Sequence, residues 1–135
     1  MKKTDQTHLE KEFAQWAGEK AESFTPLPLS GSDRRYYRLA GPTRHALGAT
    51  NPDKKENRAF IEFSRFSRSK GLPVPEIYSI AADQTSYLLE DFGNTTLYDW
   101  LSHSRQGKEV PANIIEFYKK SLELLVHFQI EGADL

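Results

Sequence analysis

The chain has 135 residues, of which 38% are hydrophobic and 27% charged, a balance that suits one well-buried core and excludes a disordered chain. A formal net charge of −1 provides no field to recruit nucleic acid or an anionic membrane, and no apolar run is long enough for a secretory leader or a bilayer span. With no cysteine there are no disulfides, thiolate metal sites or thiol nucleophiles, which agrees with a reducing, cytoplasmic setting.

Residues 5–21 are predicted helical. Leu9, Phe13 and Trp16 form a narrow apolar stripe at helical spacing, and Glu10, Lys11, Glu12 and Glu19 cover the rest. Pro26 and Pro28 oppose a helix, and Leu27 and Leu29 alternate as a first strand into a turn at residues 30–34. Residues 35–40 make the return strand, with Arg35, Tyr37 and Leu39 on one face and Tyr36, Arg38 and Ala40 on the other. After the Gly41-Pro42 turn, residues 44–50 read as a third strand interrupted by Gly48. Asn51-Pro52-Asp53 opens a second helix with Asp53 as N-cap, and Gly71 stops it. Phe60, Ile61, Phe63 and Phe66 supply its apolar side, while Arg65, Arg68 and Lys70 suit its C-terminal dipole. Residues 76–81 and 86–90 read as a hairpin turning at Asp83-Gln84. A short helix at 96–103 carries Leu97, Trp100 and Leu101, and a polar loop leads to Pro111. The helix that follows runs to about Gln129 and bears Ile114, Phe117, Leu122, Leu125 and Phe128.

This order predicts an α+β fold, a five-stranded antiparallel sheet with one packed helix, followed by further helices. The expected division is 1–103 for the sheet lobe and 104–135 for a linker and the first helix of a second body.

Most of the chemistry sits in Ser30-Gly31-Ser32-Asp33-Arg34-Arg35-Tyr36-Tyr37-Arg38-Leu39. A glycine lets backbone N–H groups come close to phosphate oxygens, and arginines add charge and forked donors. The same residues also fit a surface hairpin with a solvated basic strand. Tyr36 and Tyr37 beside arginines resemble base-stacking platforms, but the net charge and the lack of a second basic strand count against nucleic acid. His8, His45, His103 and His127 lack metal-ligand spacing, and there is no P-loop motif.

Three further segments follow in order: Glu56-Asn57-Arg58-Ala59-Phe60, Gly71-Leu72-Pro73-Val74-Pro75-Glu76-Ile77 and Tyr87-Leu88-Leu89-Glu90-Asp91-Phe92-Gly93. With the glycine hairpin they resemble the ATP-holding small lobe of the kinase-like fold, in the aminoglycoside and choline phosphotransferase branch and especially bacterial sugar kinases of the N-acetylmuramate type. The likeness spans residues 9–101. It implies that the complete protein uses ATP and Mg2+ to phosphorylate a hydroxyl of a sugar or amino sugar. It also implies that Gly31, Ser32 and Arg34 meet phosphates, and that Glu56 orients a cation. The Glu90 carbonyl and the Phe92 N–H would take the adenine edge. Each part has a plainer reading: Glu56 as a carboxylate favouring a helix N-terminus, and residues 88–92 as a buried strand ending in a turn.

Two departures from the family pattern stand out. No lysine occurs in residues 45–50, where Gly48 falls near its expected place; Lys54, Lys55 or a hairpin arginine are the stand-ins. The catalytic loop and metal-binding Asp are absent, and Asp91-Phe92-Gly93 spells a kinase metal triplet but follows the fifth strand, where a hinge belongs. No catalytic or metal residue is therefore assigned. The chain is expected to be inactive alone and to belong to a protein of about 300 residues. The alternative is a non-catalytic module that binds a nucleotide or a protein. An apolar strip around Leu88, Phe92, Trp100 and residues 114–128 is expected to drive self-association.

Overall fold

Strand alternation sorts the side chains of this protein onto two sheet faces, and each face acquires its own helix. The computed structural model describes residues 3–29, 31–104 and 110–134. The elements are α1 (Lys3–Ala17), β1 (Ser23–Pro26), β2 (Arg35–Ala40), β3 (His45–Thr50), α2 (Lys54–Ser69), β4 (Ile77–Ile80), β5 (Ser86–Leu89), α3 (Leu97–Ser104) and α4 (Ala112–Glu131), then a 3-10 turn, Gly132–Asp134. The fold is α+β. Its five strands form one antiparallel sheet in the order β1-β2-β3-β5-β4.

Leu9 and Phe13 of α1 are fully buried against Tyr37, Leu39, Ala46 and Leu88. Trp16 extends the contact, stacking on Tyr78 at 4.4 Å between ring centroids. Burying each large side chain of this kind contributes roughly 1.5–3 kcal/mol. Gly48 faces the same helix: a Cβ there would stand 2.8 Å from Leu9 Cδ2 and 2.9 Å from Leu39 Cδ1. The glycine that seemed to interrupt the strand is where α1 comes down onto the sheet. The helix ends at Ala17, short of residue 21, because Gly18 takes a left-handed φ of +73° and donates its N–H to the Ala14 carbonyl. Glu12, expected among the solvated residues, is buried with Ser86 Oγ donating to it at 3.3 Å.

α2 packs on the opposite face. Asp53 caps it, accepting from the N–H groups of Lys55 and Glu56. Ile61 packs with Ala49, Tyr87 and Leu89, while Tyr36, Leu47, Phe60, Ile77 and Ile80 border the cluster. The expectation of one packed helix is thus corrected to one on each face. Of the apolar side expected for α2, Ile61 is buried and Phe60 borders the core, but Phe63 is 47% exposed, and the other buried residues are the polar Asn57, Ser64 and Ser67. Small side chains permit close approach, and Asn57 Nδ2 satisfies the carbonyls of Asn51 and Gln84.

The first strand lies at Ser23–Pro26, earlier than the Leu27–Leu29 alternation implied, and pairs Ser23 to Ala40 and Pro26 to Tyr37. Leu29 is exposed. An irregularity in β4 pairs Ile77 with Leu89 but Ser79 with Leu88. The extra residue lets Ile77 and Ile80 both face α2 while Tyr78 packs on the α1 side.

By compactness the chain divides into Met1–Asp91 and Phe92–Leu135. α3 therefore groups with α4 and not with the sheet, where a boundary at residue 103 would place it. Gly93, at φ +88°, lies just beyond the division. In the second unit the Trp100 and Phe117 rings meet at 4.5 Å and Ile114 is buried, while Leu122, Leu125 and Ile130 of α4 are exposed. Leu88, expected on an exposed strip, is fully buried beneath α1. Among the described residues, no helix is long and apolar enough to cross a membrane.

Candidate functional site

The link between β1 and β2 carries Gly31, Ser32 and Asp33 as exposed bends; Ser30 lies outside the described residues. Gly31 takes φ +51°, where glycine is favoured, and a Cβ there would meet nothing within 4 Å. The tip is therefore open. Arg34 is not at the tip: its side chain folds inward and is 11% exposed.

Arg34 Nη2 donates to Glu56 Oε1 at 2.8 Å, and its guanidinium carbon lies 4.8 Å from the Phe60 ring centroid. Asn51 holds the other side of the carboxylate, donating Nδ2 to Glu56 Oε2 at 2.8 Å while its own Oδ1 accepts from the Asp53 N–H. Glu56 is thus fixed from two directions at the start of α2, where the dipole also favours it. Of the stand-ins for the missing lysine, the hairpin arginine is the one that meets Glu56; Lys54 acts on Asp83 instead. Gly48 cannot be the vacant lysine position, because it faces α1; β3 turns Leu47 and Ala49 toward α2.

Tyr36, Ala49 and Tyr87 form one cross-strand row on the α2 face. Burial pushes the Tyr87 hydroxyl well above the usual phenol range. For Arg34, burial opposes the charge, but the hydrogen bond with the Tyr36 hydroxyl and the surrounding Tyr87, Tyr36 and Glu56 side chains outweigh it, so the net shift is upward. Arg34 Nε and the Tyr87 hydroxyl are buried without a hydrogen-bond partner among the described residues. An unpaired guanidinium N–H in such a place is costly unless a ligand or water takes it.

At the other end of the same face, the Glu90 N–H donates to the Glu76 carbonyl at 2.8 Å. The Glu90 carboxylate accepts from the Glu76 N–H at 3.1 Å and from Arg68 Nη1 at 3.3 Å. Arg68 also reaches the Val74 carbonyl and the Glu76 carboxylate, so it ties the end of α2 to this strand end. Phe92 opens the second unit and is 62% exposed. The structure therefore brings Arg34 and Glu56 into contact and leaves Gly31 and Ser32 on the link above. The row of Arg38, Leu47 and Leu89 is four residues, or about 13 Å, along the strand from Arg34, and Glu90 follows it by one residue.

One pair was missed from sequence. Arg38 Nε and Nη2 grip the Asp91 carboxylate in a fork, the second bond at 2.9 Å, with Asp91 5% exposed. The hydrogen bond to Asp91 raises the Arg38 pKa further. Alternation placed Arg38 on the Tyr36 face, but its partner is 53 residues away and no local pattern signals it. Arg35, on the other face, lines a polar cavity of about 280 Å3 with Asp5, His8 and Asp33. Among the described residues, no three His, Asp or Glu side chains gather as a metal site.

No protein-family model matches this chain, and no curated protein or solved structure matches it.

Proposed function

We propose that Met1–Asp91 is the ATP-holding lobe of a small-molecule phosphotransferase of the kinase-like type, acting on a sugar or amino-sugar hydroxyl. The observation that carries this reading is the Arg34–Glu56 pair. A helix carboxylate holds a largely buried cation three residues after an open glycine turn, and that cation keeps an N–H with no acceptor among the described residues. Such an arrangement suits a phosphate chain. ATP bound there supplies the transferable γ-phosphoryl group. In this reading the backbone of Gly31 and Ser32 covers the phosphates and Arg34 donates to them from below. The Glu90 carbonyl accepts from the base at the far end. The orphaned Arg34 N–H fits ATP. The described residues do not fit Mg2+, since no three carboxylate or imidazole side chains gather among them. No turnover is expected from the 135 residues alone.

Calorimetry of ATP binding to the 135-residue chain tests the reading. Arg34→Ala is expected to weaken ATP by roughly ten- to a hundredfold, the worth of a charge-assisted contact. A wild-type chain that binds no ATP, or equal affinity in the variant, removes the hairpin from any nucleotide site. Turnover of a sugar by the chain would contradict that expectation.

A further inference from the structure

Arg38 belongs to β2 and Asp91 follows β5, yet β3 lies between those strands. Register sets Arg38 opposite Leu47, and Leu47 opposite Leu89. To grip Asp91, the Arg38 side chain must cross over β3 at Leu47, on the face it shares with Tyr36. Its guanidinium plane therefore lies beside Asp91, past the end of the row of Leu47 and Leu89 and one residue from Glu90. Two donors to one carboxylate fix the orientation of that plane, and 25% of the side chain remains exposed.

Taking the ATP-lobe reading as its premise, we propose that the Arg38 guanidinium, held flat by Asp91, is the surface on which the nucleobase stacks. A purine beside the Glu90 carbonyl meets the guanidinium before it meets Leu47. Guanidinium is planar, weakly hydrated and stacks well on aromatic faces. Its pairing with Asp91 cancels the net charge, so the contact serves the base and not the phosphates. Arg34 and Arg38 then divide the ligand: one takes the anionic end, the other the flat end.

The test is calorimetry on the full chain with three probes: ATP, adenosine and inorganic tripolyphosphate. Arg38→Lys keeps the charge and loses the plane. It is expected to weaken ATP and adenosine by about three- to thirtyfold, the worth of a desolvated cation–π contact, and to leave tripolyphosphate unchanged. Asp91→Asn is expected to weaken the same two probes by less, because the plane loses one clamp. Adenosine and ATP bound equally by wild type and Arg38→Lys, or a tripolyphosphate loss as large as the ATP loss, overturns the assignment while the ATP lobe stands. If wild type binds no ATP, the ATP-lobe reading falls, and this assignment with it. Should either variant fail to fold, the Arg38 Nε–H resonance of the wild-type chain decides. Ring current from a stacked purine shifts it upfield on adding ATP and not on adding tripolyphosphate; no such shift overturns the proposal.

Discussion

Against α1 the sheet presents Tyr37, Leu39, Ala46 and Leu88, all at 2% exposure or less, and the helix answers with Leu9 and Phe13. Against α2 the same strands present Tyr36, Ala49, Tyr87 and Leu89, and the helix answers with Asn57, Ile61, Ser64 and Ser67. The first interface is large-sided and dry apart from polar contacts of α1 such as Glu12 with Ser86. The second is narrow, hydrogen-bonded and framed by ion pairs at both ends of α2, Arg34–Glu56 and Arg68–Glu90. Buried polar groups cost more than apolar ones unless each is paired, and on the α2 side three buried atoms, Arg34 Nε, Asn57 Oδ1 and the Tyr87 hydroxyl, have no partner among the described residues. The difference teaches that stability resides on one face while the other spends some of it to keep unpaired donors in place.

The largest effect should come from the dry face. Phe13→Ala removes a fully buried ring and is expected to cost about 3–5 kcal/mol in urea unfolding, a large part of a small domain's stability. A cost under about 1 kcal/mol, within the range of surface changes, would mean that α1 is not the main buttress. Gly48→Ala comes next, at roughly 1–3 kcal/mol, because the new methyl meets Leu9 and Leu39 side chains. Making room with Leu9→Ala should recover part of that cost; simple additivity of the two changes would argue against the contact. On the wetter face, Glu56→Gln should cost only about 1 kcal/mol, since the carboxylate is half exposed, while ATP affinity falls alongside it. A large stability loss without any change in ATP binding would make the pair purely structural.

Glu12 sharpens the contrast through pH. Burial holds its carboxyl above the ordinary range, with the Ser86 hydrogen bond opposing. A carboxyl whose pKa is raised on folding is protonated more readily in the folded state than in the unfolded one. Stability therefore declines as pH climbs past the ordinary value of 4.5, and the full deficit is present above the raised value. Glu12→Gln should raise the urea midpoint at neutral pH and lose that advantage below pH 4.5. An advantage that is independent of pH would point to packing instead. The smallest effect is expected at Phe63, an exposed aromatic on the outer side of α2: Phe63→Ser should stay within about 0.5 kcal/mol. A greater loss would show that this side is covered in solution.

Elements set by local rules were legible in the sequence. Asp53 as N-cap, Gly71 as stop and the Leu9–Phe13–Trp16 stripe all depend on neighbours within a few turns. The α2 interface was not legible, because its periodicity allows two stripes. Hydrophobicity favours the phenylalanines, whereas the sheet required small residues and an asparagine that bonds across to Gln84. The first strand was misplaced because alternation at Leu27 and Leu29 says nothing about which residues of β2 remain to be paired. At the candidate site, Glu56 was singled out for its place on the helix, but its partner lies 22 residues back, and the fork between Arg38 and Asp91 spans 53. Which faces meet across a sheet is a property of strand order, and strand order is not written locally.

The irregularity at Tyr78 constrains how many residues the fourth strand contains, apart from what they are. Ile77 and Ile80 are an odd number of steps apart, yet both point to α2, and this works only because the ladder takes up one extra residue between them. Deleting a single codon here would straighten the ladder and turn one isoleucine away from α2, or pull Tyr78 off Trp16. Substitutions at Ser79 should be far better tolerated than any change in length, so this short strand behaves as a counted spacer whose phase keeps both helices seated.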